Sequence, residues 1–245
     1  MKPIKFILAA GIGAAMLSSC GDSSYEMHQT MFYPNKGGIV LYADQTMDTI
    51  HVYSLDSWTS QPSYNNGGTW FNYSPQKATV EAGRASDTKI TLTAQPNTSG
   101  KNLAGELRVF SHDQIATNVY HYSWLNVTSP SGRYVDDSGV SINTSQLTME
   151  EFEKVKPKFA IENIQAAATD TAVRFRTYQP GATLTSDADW LKLEGSNGSF
   201  PVADEYRVAL KASANTTGAT RTATLTLTSS GISTAITVSQ KAGAK

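Results

Sequence analysis

The chain repeats itself. Asn97-Thr98-Ser99-Gly100 returns 118 residues later as Asn215-Thr216-Thr217-Gly218. An alternating segment precedes each turn, Ile90-Thr91-Leu92-Thr93-Ala94 and Val208-Ala209-Leu210-Lys211-Ala212. Another follows each, Gly105-Glu106-Leu107-Arg108-Val109-Phe110 and Ala223-Thr224-Leu225-Thr226-Leu227. Trp70-Phe71-Asn72-Tyr73 corresponds to Trp190-Leu191-Lys192-Leu193 at a spacing of 120, so a two-residue insertion separates the copies. Asp48-Thr49-Ile50 and Asp170-Thr171-Ala172 also align. Such a duplication restricts the chain to a fold small enough to occur twice in 245 residues.

Period-2 alternation of Val, Ile, Leu and Thr marks half-buried antiparallel strands. They recur about every ten residues with Asn-Gly, Gly-Gly and Ser-Gly turns between them, and no βαβ alternation is present. The expected fold is therefore all-β: two tandem immunoglobulin-like antiparallel β-sandwiches, the first over 33–130 and the second over 158–242. The span 131–157 is expected to link them. It contains a turn-rich part around Val135-Asp136-Asp137-Ser138-Gly139 and one short helix. Thr148-Met149-Glu150-Glu151 fits a capping box, Met149, Phe152 and Val155 recur at helical spacing, and Pro157 ends the run. A helix of about two turns is marginal alone, so its apolar face should pack on one of the sandwiches.

The chain has 40% hydrophobic and 17% charged residues with a net charge of −1. That balance, without a Lys/Arg run, lacks the basic footprint of a nucleic-acid binder. The only cysteine is Cys20, so no disulfide forms within the chain. Lys2 and Lys5, the apolar stretch 6–16 and then Leu17-Ser18-Ser19-Cys20 give a secretory signal too short to span a membrane as a helix. The Leu-Ser-Ser-Cys ending resembles the lipobox of bacterial lipoproteins. That resemblance implies cleavage after residue 19, lipidation of the Cys20 thiol and a polar tether over 20–32. An ordinary secretory peptide with a chance cysteine is the alternative. Acyl chains would hold the protein to a membrane without a spanning helix. Asp22 and Glu26 after the cysteine resemble, sparsely, the surface-export signal of Bacteroidetes lipoproteins, so the expected location is the cell envelope at the outer membrane, with either leaflet open.

In the second copy, Asp189-Trp190-Leu191-Lys192-Leu193, Asn215-Thr216-Thr217-Gly218, Arg221-Thr222-Ala223-Thr224-Leu225-Thr226-Leu227 and Ile236-Thr237-Val238-Ser239-Gln240 follow in order. This series resembles the BACON domain (Bacteroidetes-associated carbohydrate-binding often N-terminal). The first copy resembles it less closely. Leu103 replaces the arginine, and Asn118, Tyr120 and Tyr122 align with Ile236, Val238 and Gln240. The resemblance implies a non-catalytic glycan- or mucin-binding accessory module, or alternatively a spacer or scaffold that docks another envelope protein.

Trp70 and Trp190 begin equivalent strands and are expected in the two cores. Tyr120, Tyr122 and Trp124 alternate like a stacking platform, yet the alignment of Tyr120 with Val238 assigns Tyr120 to the core. Trp58 and Tyr64 have no counterpart in the second copy. They lie in the polar segment 56–68, read as a loop in which aromatic faces and amides could meet sugar rings and hydroxyls; they are the candidate carbohydrate-binding residues. No catalytic residues, metal ligands or cofactor are indicated. His28, His51, His112 and His121 lack ligand spacing, and Asp136-Asp137 and Glu150-Glu151 suit a solvated linker and a helix start. Asp48-Thr49 and Asp170-Thr171 resemble an O-glycosylation signal of exported bacterial proteins, although a turn entering a strand explains them equally well.

Overall fold

The computed structural model describes residues 27–33, 38–81, 84–136, 138–142 and 147–243. Cys20, the signal segment and most of the tether lie outside the described residues, as does the side chain of Met149.

The first sandwich comprises β1 (Thr30–Tyr33), β2 (Ile39–Leu41), β3 (Met47–Ser54), β4 (Trp58–Tyr64), β5 (Phe71–Ser74), β6 (Lys77–Ala78), β7 (Ser86–Ala94), β8 (Leu103–Phe110) and β9 (Gln114–His121). Its sheets run β1-β3-β7-β5 and β2-β9-β8-β4-β6. The chain continues with β10 (Asn126–Ser129), β11 (Arg133–Val135), α1 (Met149–Lys154), β12 (Lys156–Ile164), β13 (Thr169–Arg176), β14 (Ala182–Ser186), β15 (Leu191–Glu194), β16 (Ser199–Phe200), β17 (Glu205–Ala212), β18 (Arg221–Ser229) and β19 (Ile232–Gln240). These strands form β10-β13-β17-β15 and β11-β12-β19-β18-β14-β16. Apart from the added edge strand β11, the two strand orders are the same. Each core draws on both of its sheets, with Ile50, Phe71 and Leu92 facing Leu41, Trp58 and Leu107 in the first. In the second, Phe175, Val208 and Leu210 face Leu184, Leu225 and Ile236. The fold is all-β with two immunoglobulin-like sandwiches, as the alternation predicts.

The repeated Asn-Thr-Ser/Thr-Gly turn has a structural cause. Asn97 Nδ2 donates to the carbonyls of Lys101, His121 and Tyr122 while its Oδ1 accepts from Ser99. Asn215 does the same with Ala219, Lys241 and Thr217. Each buried amide ties a turn to the end of the following hairpin, so its groups are satisfied within the fold.

The sandwich boundary differs from the expected one. Val127 of β10 pairs with Phe175 and joins the second core, although it falls within the 33–130 span. β11, inside the expected linker, pairs with β12. Four alternating residues look the same whichever sandwich they pair with; the partner is a long-range choice. The helix stands as read, with Thr148 and Glu151 closing the capping box. It docks on the first sandwich through Asn102, whose Nδ2 donates to the carbonyls of Phe152 and Val155.

The last hairpin corrects the alignment of Tyr120. Gly105 pairs with Val119, and its counterpart Ala223 pairs with Val238, because the first copy has one residue fewer between the two paired positions than the second. Val119 is therefore the counterpart of Val238, and Tyr120 points out of the sandwich toward Phe152. A one-residue slip exchanges the faces of a strand. A similar slip separates the Asp-Thr motifs. Thr49 pairs with Thr91 on the outer side of β3, whereas Thr171 pairs with Leu210 on the inner side of β13.

Candidate functional site

Trp58 is not a surface residue. It opens β4, is 2% exposed and packs in the first core, so neither ring face is free for a sugar. Tyr64 closes the same strand, half-buried, with its hydroxyl donating to the Phe71 carbonyl. Six residues of extended chain, about 20 Å, separate them. The segment read as a binding loop is a strand, and it brings no site together.

Trp70 and Trp190 do occupy equivalent places, each just before its strand. Both rings are half-buried at the core margin rather than fully enclosed. The Arg221 guanidinium lies 4.5 Å from the Trp190 ring centre while its Nε donates to Gln240 Oε1. In the first copy Leu103 holds the arginine's place, and the His121 ring lies 5.8 Å from Trp70.

Aromatic side chains gather instead where the sandwiches meet. The turn after β2 carries Tyr42 and Ala43. The Ala43 amide donates to the Trp124 carbonyl, and Gln45 Oε1 accepts from the Tyr42 amide. His121 Nε2 donates to the Tyr42 carbonyl at 3.1 Å, which fixes the ring tautomer. Burial pushes this imidazole down to about 4, so it is neutral at pH 7. On the other side, Ser123 is tied to Asn102 Oδ1, which sets the direction of Trp124.

The rings form a connected series. Tyr122 stacks on Trp124 at 4.2 Å, Tyr42 meets Tyr122 edge-on at 5.7 Å, and Tyr178 lies nearly parallel to Tyr42 at 6.2 Å. Tyr134 from β11 lies 6.0 Å from Trp124, and Phe152 of α1 covers Tyr120 at 4.8 Å. Burial and the neighbouring hydroxyls of Tyr178 and Tyr134 raise the Tyr42 phenol above its ordinary value. Burial first, and then the hydroxyls of Tyr134, Tyr42 and Tyr120, raise Tyr122 well above its own. These phenols are neutral hydrogen-bonding groups at any physiological pH.

Two clefts open on this series and share Trp124 and Tyr134. One, of about 320 Å³, lies between Tyr42, Trp124, Tyr134, Phe159, Pro157 and the polar residues Asn126, Thr128 and Ser131. The second, of about 150 Å³, is lined by Tyr120, Tyr122, Trp124, Tyr134, Phe152 and Val155. Apolar walls with a few amides and hydroxyls suit a neutral organic ligand with ring faces and hydroxyl edges. Among the described residues no group of three or more His, Cys, Asp or Glu side chains is placed to hold a metal ion. Sequence reasoning missed Tyr42, Tyr134 and Phe159, which come from three separate segments. It set Tyr120 aside through the one-residue slip.

Fold and site together define an all-β protein of two immunoglobulin-like sandwiches with an aromatic cleft at their junction. Its second sandwich carries a BACON-like domain: residues 181–241 match the family described as "Putative binding domain, N-terminal". No curated protein sequence matches the chain. Among solved structures, a Bacteroides ovatus GH5 xyloglucanase in complex with a XXXG heptasaccharide is 20% identical, with a TM-score of 0.29 over 36% of this chain and 17% of that one. An endo-fucoidan hydrolase from glycoside hydrolase family 107 is 12% identical, with a TM-score of 0.28 over 88% of this chain and 29% of its own. A Porphyromonas gingivalis protein of unknown function is 7% identical, with a TM-score of 0.27, 86% of this chain and 99% of that one being covered. The chain thus spans under a third of the first two proteins.

Proposed function

We propose that this protein is a non-catalytic, lipid-anchored envelope protein that binds glycans at the cleft between its sandwiches. The observation that carries the reading is the cleft itself, where Tyr42, Trp124 and Tyr134 surround a space edged by Asn126, Thr128 and Ser131. Aromatic faces take the apolar faces of sugar rings, and amides and hydroxyls take their hydroxyl groups. The BACON-like match, to a family described as a binding domain, supports a binding role.

Each ring contributes on the order of 1–2 kcal/mol to such a contact, so Tyr42→Ala or Tyr134→Ala should weaken binding roughly tenfold. Affinity electrophoresis of the full chain in non-ionic detergent, against mucin and plant polysaccharides, reads the effect. Tyr134→Phe keeps the ring face and should retain binding. Retention that survives both alanine variants, at unchanged melting temperature, removes the cleft from the reading.

Anchoring rests on Leu17-Ser18-Ser19-Cys20. Labelled fatty acid should enter the parent protein, and Cys20→Ala should shift the protein from the membrane to the soluble fraction. A parent protein that never takes up label contradicts the anchor. Weak binding at a single site suits an anchored protein, since many copies on one surface supply avidity. The second reading, a spacer that docks another envelope protein, draws on the hydrogen bonds that join the two sandwiches, from the Tyr178 amide and the Ser229 hydroxyl to Asp44 Oδ2. Absence of retention by any glycan, with stoichiometric capture of one envelope protein, would favour it.

A further inference from the structure

One row of side chains beside the cleft is electrostatically unbalanced. Val173 and Phe175 of β13 face the core, so Arg174 and Arg176 stand on the outer face of that sheet. Arg174 is directly opposite Arg207 of β17, and both are exposed. Directly opposed cross-strand positions place Cβ atoms about 5 Å apart, where like charges disfavour the pairing. Neither arginine makes an ion pair or hydrogen bond among the described residues. Lys192 and Lys211 are also directly opposed across β15 and β17, but each of these has an acidic partner. Lys211 reaches Glu194 at 3.7 Å and stands opposite Asp170; Lys192 reaches Asp189 at 3.0 Å; Glu205 stands opposite Arg176. Two uncompensated guanidinium groups in a chain of net charge −1 are not a consequence of bulk composition.

Their position connects them to the cleft. Ser129 of β10 pairs with Arg174, and the adjacent Thr128 lines the cleft. Arg174 is one strand from that rim and Arg207 two, about 5 and 10 Å across the sheet. Arg176 lies over the Tyr178 ring at 5.4 Å and pairs in register with Asn126, another cleft residue. Aromatic walls and an arginine pair therefore lie along one continuous surface. The guanidinium fork matches carboxylate and sulfate oxygens in a bidentate way, and a flat sheet face leaves it open to them.

We propose that Arg174 and Arg207 form an anionic subsite of the junction cleft, and that the glycan bound there is acidic, bearing carboxylate or sulfate groups. The inference rests on the glycan reading above and adds the ligand's chemical class. A saccharide ring would sit at the cleft while an acidic substituent of the same polymer, one or two residues along, bridges the two arginines and relieves their repulsion.

The test uses the full chain in non-ionic detergent against matched polymers: pectate and its methyl ester, dextran sulfate and dextran, sialylated mucin and the desialylated form. At least one acidic member should be retained more strongly than its neutral partner. Arg174→Gln with Arg207→Gln should reduce that retention by about tenfold and leave neutral retention unchanged. Lys192→Gln with Lys211→Gln removes the same charge elsewhere on the face and should have little effect. Both double variants change exposed side chains, so melting temperature should stay near the parent value. Equal retention of acidic and neutral forms overturns the subsite and leaves glycan binding intact. Equal loss in the lysine variant, or acidic retention unaffected by Tyr134→Ala, shows general charge attraction and also overturns it. Retention by none of the polymers defeats both readings together.

Discussion

Trp58→Ala should unfold the first sandwich near body temperature while leaving the second folded. The indole is fully enclosed at the start of β4, packed with Phe71, Leu107 and other residues from both sheets. Truncating a core tryptophan costs about 3–5 kcal/mol, against a total domain stability of about 5–15 kcal/mol. Urea unfolding followed by tryptophan fluorescence should show a transition lost or moved to much lower denaturant, with a second transition retained. Trp58→Phe should be far milder. The indole Nε1 is buried without a hydrogen-bond partner among the described residues, so the smaller ring gives up volume while removing an unsatisfied donor. An alanine variant as stable as the parent would return Trp58 to the surface and reopen it as a ligand residue.

The same residue shows what a sequence conveys and what it conceals. In the first sandwich Trp58 pairs across the strands with Ala78; at the equivalent place in the second, Ala182 pairs with Phe200. The bulk has moved to the neighbouring strand, so the space is filled in both copies while neither position is conserved between them. Repeat logic recognises a core residue by its recurrence and is blind to such an exchange. Strand periodicity, the duplication and the Thr148 capping box depend on near neighbours and were therefore legible. The junction was not. Val127 reads equally well as the end of one sandwich or the start of the next, and a β8–β9 hairpin one residue shorter than its counterpart reversed the face assigned to Tyr120. The cleft residues come from the β2–β3 turn, the segment after β9, β11 and β12, with no local signal to unite them.

That junction is held by groups which also have consequences for stability. Ala43, from the β2–β3 turn of the first sandwich, is part of the second core. Asp44 follows it, 0% exposed, with Oδ2 accepting from the Tyr178 amide at 3.0 Å and from the Ser229 hydroxyl at 2.8 Å. Gln179 Nε2 donates to Thr46 Oγ1, and the Leu125 amide donates to Thr234 Oγ1. Thus one short turn carries a cleft wall, Tyr42, and the carboxylate that fastens it to the neighbouring sandwich. Cleft wall and coupling share the same five residues.

Asp44→Ala should uncouple the sandwiches. It leaves the Tyr178 N–H and the Ser229 hydroxyl without their acceptor in a closed interface, at a cost of about 2–5 kcal/mol offset in part by no longer burying the unpartnered Oδ1. The loss falls on the junction and spares both cores. In urea, the parent should unfold with overlapping transitions because each sandwich stabilises the other; the variant should show two separated ones, the earlier shifted to lower denaturant. Asp44→Asn supplies the control. Its carbonyl oxygen can still accept from Tyr178 and Ser229, and its amide takes the place of Oδ1, which has no partner among the described residues. Coupling should be largely restored by this variant, short of the parent by the penalty for a buried unpaired amide. Glycan retention gives a second reading of the same change. Tyr42 stands two residues from Asp44, so a released turn withdraws one wall of the cleft. Retention should then fall in the alanine variant at temperatures where circular dichroism shows both sandwiches folded. Unchanged transitions in Asp44→Ala would mean that the apolar contacts of Ala43, Trp124 and Leu125 hold the junction without the carboxylate.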